Sequence, residues 1–457
     1  VGFAKMKDAQ KGHAEPGEKV VVMGGDNYRI GMGGGAVSSV ETGQYSNAIE
    51  LNAVQRANAE MQKRVSNVIR TLAESDSNPI VSIHDHGAGG HLNCLSELVE
   101  ECGGKINMAD LPVGDSTLSA KEIIANESQE RMGLLIKEDA IEYVRKVAER
   151  ERAPMYVVGE TTGDARFAFE QADGKRPFDL SVSQMFGSSP KTYMVDKTKE
   201  RHYKDVEYNA EDVNDYLVNV LRLEAVACKD WLTNKVDRSV TGLIAGQQTC
   251  GEIQLPLNNL GVTAIGYNNK EGIATSMGHA PLVALVDSAA GSRMAMSEAL
   301  TNVVWAPLKD GIKGVSLSAN WMWPCRNEGE DARLYKAVKG ASDFACALGI
   351  NIPTGKDSMS MTQKYPSGEK VLSPGTVIIS TVAPVEDINK IVHPNLQNNP
   401  DSVLMYIPFV DGAASTAAGS DAKEAFPLGG SAFAQIVGQV GNIAPDVENP
   451  AYFASAF

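Results

Sequence analysis

Residues 19–40 read KVVVMGGDNYRIGMGGGAVSSV, and this stretch indicates the fold of the first part of the chain. The apolar run from Val20 to Met23 predicts a buried strand, and the small residues from Ala36 to Ser39 predict the start of a helix. Six of the twelve residues between them are glycines, at positions 24, 25, 31, 33, 34 and 35. Glycine is favoured where a backbone approaches a ligand closely, and a helix start offers free N–H groups to an anion. We therefore predict a strand, loop and helix that bind phosphate.

The spacing of these glycines excludes two standard phosphate-binding motifs. The stretch contains neither GxxxxGK[ST] nor a clean GxGxxG, so it is neither a P-loop nor a Rossmann fingerprint. The alternative interpretation of the stretch is a tight turn that needs flexible residues.

The composition is that of an ordinary globular enzyme, with 43% hydrophobic and 22% charged residues in 457. This length predicts about three domains. The formal net charge of −15 makes a nucleic-acid backbone an unfavourable partner. We therefore expect phosphate to be bound locally, by backbone N–H groups, a few cationic side chains and Mg²⁺, against the overall negative field.

The six cysteines are scattered without a CxxC pair, which is typical of reduced thiols in a cytoplasmic protein. The sequence shows no signal peptide and no uninterrupted apolar span of about 18 residues, which disfavours membrane and secreted proteins. It begins Val1-Gly2-Phe3 without Met and stops at Phe457, soon after a new strand-and-glycine pattern begins. We therefore expect it to be part of a longer protein.

Apolar periodicity predicts a compact α/β unit that ends near residue 190. It contains strands at 20–23, 80–83, 133–136 and 155–159 and helices at 47–73, 91–102 and 138–151. The polar segment 191–209 predicts a linker, and a predicted helix at 211–227 leads into a second domain.

That second domain covers about 230–395. We predict strands at 260–266, 281–286, 314–318 and 374–383 and helices at 289–304 and 330–348. An apolar run at 402–409, a polar loop and Leu428-Gly429-Gly430-Ser431 then repeat the order found at 20–35. This repetition predicts a duplicated architecture.

Three interpretations are open for His84-Asp85-His86, which ends the predicted strand at 80–83 and precedes Gly87-Ala88-Gly89-Gly90. Asp85 could hold Mg²⁺ against phosphate. The histidines His84, His86 and His91 could bind zinc, or the segment could be a structural turn. His84 and His86 alternate along a strand and so face opposite sides, which counts against joint ligation.

Three other segments carry polar groups suited to binding. NESQERM (126–132) could clamp a polyhydroxylated or phosphorylated substrate, or it could be a solvated loop. Glu298 and Asn302 share a helix face, where they could ligate Mg²⁺ or form hydrogen bonds at the helix surface. Gly355-Lys356-Asp357-Ser358 follows an apolar strand and is suited to face a phosphate. We find no Ser–His–Asp order, activated Cys or HExxH, so no catalytic residue is assigned.

Nine segments, in order along nearly the whole chain, resemble the large, single-chain formylglycinamide ribonucleotide amidotransferases, a family also called phosphoribosylformylglycinamidine synthases. The segments are GGDNYRIGMGGGAVSS (24–39), VQRANAEMQKR (54–64), IHDHGAGG (83–90), NESQERM (126–132), ERAPMYVVGE (151–160), RSVTG (238–242), SEALTN (297–302), LSANWM (317–322) and PTGKDSMSM (353–361). Because so many motifs occur in the order of the family, the resemblance is stronger than any single-site argument.

The resemblance implies two tandem halves of aminoimidazole-ribonucleotide-synthetase-like domains, each with an α+β and an α/β domain. Residues 1–190 would be the C-terminal domain of the first half, and 191–229 a linker and helix. Residues 230–395 would be the N-terminal domain of the second half, and 396–457 the start of its C-terminal domain. The glutaminase domain of the family would lie outside this sequence.

The resemblance also implies a reaction. ATP and Mg²⁺ would serve to phosphorylate the amide oxygen of formylglycinamide ribonucleotide (FGAR), and ammonia from glutamine would displace the phosphate to give the amidine. Glu127, Ser128 and Gln129 would face the substrate, and Asp85 would lie beside the nucleotide and its metal. ATP or ADP would contact Asn258 and the loop residues Gly24, Gly25, Asp26, Asn27, Tyr28, Arg29, Ile30, Gly31, Met32, Gly33, Gly34 and Gly35.

In this family the second half carries an auxiliary nucleotide with Mg²⁺. By resemblance, Glu298 and Asn302 match its metal ligands. The usual aspartate ligand falls at Asn259, whose amide oxygen can ligate but brings no charge. Since the N-terminal domains of the two family halves pair, the resemblance also implies self-association of the second domain.

Two other classes of function compete with the ligase. One is a nucleotide-binding regulatory or structural module without catalysis. The other is a kinase-like relative, such as a thiamine-phosphate or selenophosphate enzyme, and the continuous match across both halves argues against it.

Overall fold

A computed structural model describes residues 5–54, 58–188, 190–233, 242–409 and 427–457. The chain divides into two compact units. The first unit comprises Gly2–Tyr193 with Gln363–Glu369, and the second unit comprises Met194–Thr362 with Lys370–Phe457. Residues 55–57 and 238–241, which are parts of two sequence motifs, and the polar loop predicted after residue 409 lie outside the described residues.

Seven strands form the mixed sheet of the first unit: β1 (Lys19–Met23), β2 (Ile80–His86), β3 (Gly104–Asn107), β4 (Ser128–Ile136), β5 (Met155–Thr161), β6 (Arg166–Glu170) and β7 (Phe178–Ser181). Their order in the sheet is β2-β4-β1-β5-β3-β6-β7. Neighbouring strands are antiparallel, except that β3 and β6 are parallel.

Strand β1 lies in the interior of this sheet, between β4 and β5, and residues 20–23 are fully buried. Val20 and Val22 pack on one face with Leu95 and Phe167. Val21 and Met23 pack on the other face, among the apolar side chains Val65, Val144 and Leu134. Because both faces are covered, the strand is a continuous apolar run instead of an alternating one.

The first unit contains seven α-helices within the described ranges. They are α1 (Gly34–Ser38), α2 (Asn47–Asn52), α3 (Ala59–Glu74), α4 (Gly90–Leu98), α5 (Ala120–Ile124), α6 (Ile141–Glu151) and α7 (Val182–Phe186). Helices α3 and α6 cover the face that holds Val21, and α4 covers the face that holds Val20. The predicted helix at 47–73 is divided into α2 and α3, and the one predicted at 91–102 ends at Leu98.

The elements of the second unit and of its junction segments follow in chain order. The strands are β8 (Ile244–Gly246), β9 (Thr249–Cys250), β10 (Leu255–Pro256), β11 (Leu260–Ala264), β12 (Gly272–His279), β13 (Ser316–Met322), β14 (Asn351–Ser358), β15 (Thr362–Lys364), β16 (Lys370–Leu372) and β17 (Thr376–Val385). The helices are α8 (Val213–Arg222), α9 (Asp230–Thr233), α10 (Pro281–Val286), α11 (Ser288–Val303), α12 (Glu330–Leu348), α13 (Ala432–Ile436) and α14 (Pro450–Ala456).

Six strands form the main sheet of the second unit, in the order β14-β13-β17-β12-β11-β8. Burial alternates along β12 and β17, as expected for strands with one face on the core. Apolar side chains of α11 and α12, including Met296, Leu300 and Phe344, pack with Leu317 and Ile379 of the sheet. The long helices predicted at 289–304 and 330–348 are confirmed.

Three predicted elements are wrong. Residues 281–286 form helix α10 and not a strand, with Pro281 in the first helical turn, where its missing N–H costs nothing. Residues 402–409 belong to no strand in the described structure. Residues 355–358, which were expected to come after a strand, lie inside edge strand β14.

Across the described ranges, every helix is too short or too polar to cross a membrane.

We predict that Gly278→Ala destabilises the second unit by about 1–3 kcal/mol because of overpacking. A Cβ at this position of β12 would lie 2.2 Å from the carbonyl oxygen of Ala295 and 2.4 Å from the backbone N of Ala299, both in α11. Urea unfolding followed by tryptophan fluorescence measures the loss. Gly246→Ala in β8 is the matched control, since the nearest atom to its Cβ is at 3.5 Å. Equal losses in both variants would contradict the prediction.

Candidate functional site

The first glycine loop, defined as residues 24–35, connects β1 to α1 in the first unit. Gly24, Gly31 and Gly33 have φ values of 124°, 81° and 64°, which residues with a side chain rarely adopt. A Cβ at Gly31 would lie 2.1 Å from the carbonyl oxygen of Glu127. The predicted helix start is confirmed at Gly34, although α1 has only five residues. The glycines are therefore required by conformation and by close contact within the protein.

Several backbone N–H groups of this loop already donate to the protein. They are those of Gly24, Asn27, Gly31, Met32 and Gly35, whose acceptors are Pro154 O, Pro112 O, Asn52 O (twice) and Glu127 Oε1. An external phosphate would therefore be bound by other groups of the loop. Both interpretations of the stretch, phosphate loop and structural turn, remain compatible with this geometry.

The second glycine loop, defined as residues 87–90, connects β2 to α4. Asp85 precedes it, is exposed, and accepts a hydrogen bond of 2.7 Å from the backbone N of Gly87 through Oδ1. His84 pairs with Glu97, whereas His86 is fully buried. Within the described ranges, no group of three or more His, Cys, Asp or Glu side chains could hold a metal ion. The zinc interpretation thus lacks its ligand set, and the Mg²⁺ role of Asp85 stays a prediction.

The interpretation of NESQERM as a solvated loop is wrong, because β4 already begins at Ser128 and the polar side chains around it are buried. The side chains of Glu127 and Ser128 are each 1% exposed. Glu127 Oε1 accepts hydrogen bonds from the backbone N of Gly35 at 2.8 Å and of Gly89 at 3.1 Å. The side chain of Gln129 is outside the described set. The substrate-binding role expected for these three residues stays a prediction.

Sequence reasoning missed a buried polar network beneath the loops. Arg131 is fully buried and donates to Asn27 Oδ1, to Asn126 Oδ1 and, at 2.7 Å, to His91 Nε2. His91 Nδ1 lies 2.9 Å from His86 Nε2. Since a guanidinium only donates, His91 accepts at Nε2 and donates from Nδ1 to His86. Apolar alternation in the sequence did not signal this network, since Ser82 and His86 are the buried positions of β2 whereas the apolar Ile83 is exposed.

Burial, with the nearby charge of Arg131, lowers the pKa of His86 and His91 well below the usual value of 6.5. Both imidazoles are therefore neutral in the folded protein near neutral pH. Asn126 extends the network by donating from Nδ2 to the carbonyl oxygens of Tyr28 (2.7 Å) and Ile30 (3.0 Å). The network thus determines the path of the first glycine loop.

We predict that the first unit loses stability as the pH falls below 6.5, and that His91→Gln reduces this dependence. The unfolded chain binds a proton at His91 that the folded chain excludes, so stability is complete above the unfolded pKa and falls below it. In His91→Gln, the slope of the unfolding free energy against pH should fall by up to about 1.4 kcal/mol per pH unit between pH 6.5 and 5.

Hydrogen exchange of β1 and β4 peptides, corrected for intrinsic rates, measures this slope. His202→Gln is the control, since the side chain of His202 is 79% exposed. An unchanged slope in His91→Gln would contradict the prediction.

In the second unit, the structure brings Asn258, Asn259 and Asn302 together around a pocket of about 220 Å³. The other lining residues are Leu257, Leu260, Trp305, Val392, His393 and Pro394. Asn258 is engaged internally, since its Oδ1 accepts from the backbone N of Leu260 and its Nδ2 donates to Gln247 O. Asn302 donates from Nδ2 to the carbonyl oxygen of Met277 at 3.0 Å.

Glu298 lies one helical turn before Asn302 and is not part of the pocket lining. Its Oε2 accepts a hydrogen bond of 2.7 Å from the backbone N of His279. The predicted metal set of Asn259, Glu298 and Asn302 therefore supplies one carboxylate and two neutral amides. Mg²⁺ is a hard cation that proteins hold through carboxylates and substrate phosphates. These residues do not fit a resident Mg²⁺ by themselves.

We predict that Asn259→Asp creates a divalent-cation site that the unsubstituted chain lacks. The added carboxylate supplies the missing charge, so Mn²⁺ should quench the fluorescence of Trp305 with a dissociation constant of about 10⁻⁴–10⁻³ M. Trp305→Phe in the same background identifies the signal of this residue, and Glu298→Gln should weaken the quenching. Saturable, Trp305-dependent quenching of the unsubstituted chain would contradict the prediction.

Comparisons with known proteins match both units. Residues 15–171 match the AIR synthase related protein, C-terminal domain, and residues 228–384 match the FGAR-AT PurM_N-like domain. The fold is also similar to that of Thermotoga maritima PurL. The structure of that protein complexed with FGAR has a TM-score of 0.63 and 19% identity, over 84% of this chain and 57% of that one. Its complex with ATP has a TM-score of 0.57 and 18% identity, over 84% of this chain and 56% of that one.

Curated relatives cover nearly all of this chain. The phosphoribosylformylglycinamidine synthase of Dictyostelium discoideum is 39% identical over 98% of it, and the probable enzyme of Caenorhabditis elegans is 37% identical over 100%. The chain spans about a third of their length, 34% in both cases. The family expected from the ordered motifs is thereby confirmed, and the chain belongs to the phosphoribosylformylglycinamidine synthase family.

Proposed function

We propose that this chain forms part of an ATP-dependent ligase of purine biosynthesis that converts FGAR and glutamine to formylglycinamidine ribonucleotide. The observation that carries the proposal is the match of 98–100% of the chain, at 37–39% identity, to relatives named for this activity. The two domain matches support it, since they occur in the order that the resemblance implies.

The chemistry requires activation of an amide. Its oxygen is a poor leaving group, so the γ-phosphoryl group of ATP is first transferred to it, which yields an iminophosphate and ADP. Ammonia, released from glutamine by a glutaminase domain outside this chain, then forms the new C–N bond as inorganic phosphate leaves. Such phosphoryl transfer needs mainly positioning and charge neutralisation, not a covalent catalyst.

The first unit supplies the groups for positioning. We propose that the first glycine loop lies against ATP or ADP and that the start of β4 lies near FGAR. Mg²⁺ would neutralise the phosphates when bound, and Asp85 is the exposed carboxylate that fits it at the end of β2. The T. maritima PurL complexes with FGAR and with ATP support both ligands. The auxiliary nucleotide proposed for the second unit would meet Asn258 and the neutral pocket.

Two further properties stay proposals. We propose a cytoplasmic enzyme without nucleic-acid or membrane partners, on the basis of its charge and its cysteine pattern. We also propose that the second unit self-associates, and sedimentation that showed a monomer at high concentration would refute this.

We predict that the complete gene product forms the amidine only with ATP and glutamine, and that Gly34→Ala lowers kcat/KM at least tenfold. A Cβ at Gly34 would lie 2.6 Å from both Ala53 O and Glu127 Oε2, so the loop would shift. A tenfold loss equals about 1.4 kcal/mol of transition-state stabilisation. Steady-state assays measure it, with Gly246→Ala as the control.

Calorimetry then shows which of the two units binds the nucleotide. We expect ATP binding to this chain to be weakened by Gly34→Ala and to survive Glu298→Ala, because the donor set around Glu298 does not fit Mg²⁺. Binding that depends on Glu298 would instead place the nucleotide in the second unit. Absence of amidine formation by the complete gene product would reject the proposed function.

A further inference from the structure

We propose that Glu127 is a positioning residue that joins the two glycine loops, so that they become ordered as one unit. This role differs from direct substrate contact, which the resemblance implies for the same residue. The joining of the loops does not depend on the proposed function. Only its consequence for turnover rests on that function.

The contacts of Glu127 place it between the loops. Its Oε1 accepts from Gly35 in the first loop at 2.8 Å and from Gly89 in the second loop at 3.1 Å. Its backbone N donates to the carbonyl oxygen of Gly31 at 2.6 Å. One residue, at the entrance to β4, is therefore bonded to both ends of the first loop's glycine cluster and to the second loop.

The two loops also touch each other directly. A Cβ at Gly35 would lie 2.8 Å from the Cβ of Ala88, which belongs to the second loop. A Cβ at Gly90 would lie 2.5 Å from the carbonyl oxygen of Asn126. The loops therefore lie close to each other and to residues 126–127, so we expect a shift of one loop to be transmitted to the other through these residues.

Charge explains why a carboxylate occupies this position. A buried ionised group must be satisfied by hydrogen bonds, and bonds from backbone N–H groups to a carboxylate are about twice as strong as neutral ones. Glu127 is 1% exposed, so water cannot replace these donors. The N–H groups of Gly35 and Gly89 are therefore committed to the protein, and Glu127 organises the loops from beneath.

Hydrogen exchange with mass spectrometry of the whole chain tests the proposal. In Glu127→Ala, exchange in peptides that cover residues 33–38 and 87–93 should rise together, at least about tenfold, since each donor loses a charged acceptor. In Glu127→Gln, the weaker neutral acceptor should raise the exchange rate in both peptides by about threefold. If Glu127→Ala does not fold, as judged by circular dichroism, Glu127→Gln alone decides.

Glu18→Gln is the matched control. Glu18 is a buried carboxylate of the same unit, 5% exposed, which accepts from the backbone N of Glu15. It should leave both peptides unchanged. A rise in only one of the two peptides, or in neither, would overturn the proposal.

Kinetics of the complete gene product separate positioning from substrate contact. A positioning role predicts that kcat falls at least tenfold in Glu127→Ala, that KM for FGAR stays within about threefold, and that Glu127→Gln restores most of kcat. A rise in KM in both variants with kcat unchanged would overturn the positioning role. Exchange results would still stand if the gene product proved to lack this activity.

Discussion

The first unit depends on the complete burial of residues 20–23 of β1. This strand is apolar on both faces and is hydrogen-bonded to β4 on one edge and to β5 on the other. Its register pairs Met23 with Met132, so the chain that leaves β1 as the first glycine loop runs beside the start of β4. A slip of one residue would exchange the two faces of β1, and both are lined by the core. The position of the loop therefore follows from packing.

Beneath the loops, buried polar groups hold the chain segments in place, as apolar side chains do in the sheet. Residues 126–131 bring amide, carboxylate and guanidinium groups into a region that excludes water. Buried polar groups are stable only when they are bonded, so each one imposes a direction on its neighbours. Asn126 determines the path of Tyr28 to Ile30, Arg131 holds Asn27 and His91, and Glu127 bonds both glycine loops. The proposed ligand site thus rests on a rigid polar base.

The second unit uses a different construction. Its sheet has alternating strands, and α11 and α12 pack on one face. The pocket at Asn258, Asn259 and Asn302 lies where loops and the end of α11 meet. Neutral amides, an indole and an imidazole line it, which suits a planar or uncharged part of a ligand better than a metal ion. The two units therefore differ both in sheet topology and in the charge of their candidate sites.

The sequence by itself determined the buried strand at 20–23, the long helices, the family and the two regions rich in glycine, because apolar periodicity and local motifs report these directly. Only the tertiary structure decided that 281–286 is helical, since a short apolar run fits either state until its neighbours are present. It also decided that Glu127 and Arg131 are buried and that Glu298 lies outside the pocket that Asn259 and Asn302 line. Those properties depend on which distant segments come together, and spacing along the chain carries no information on such contacts.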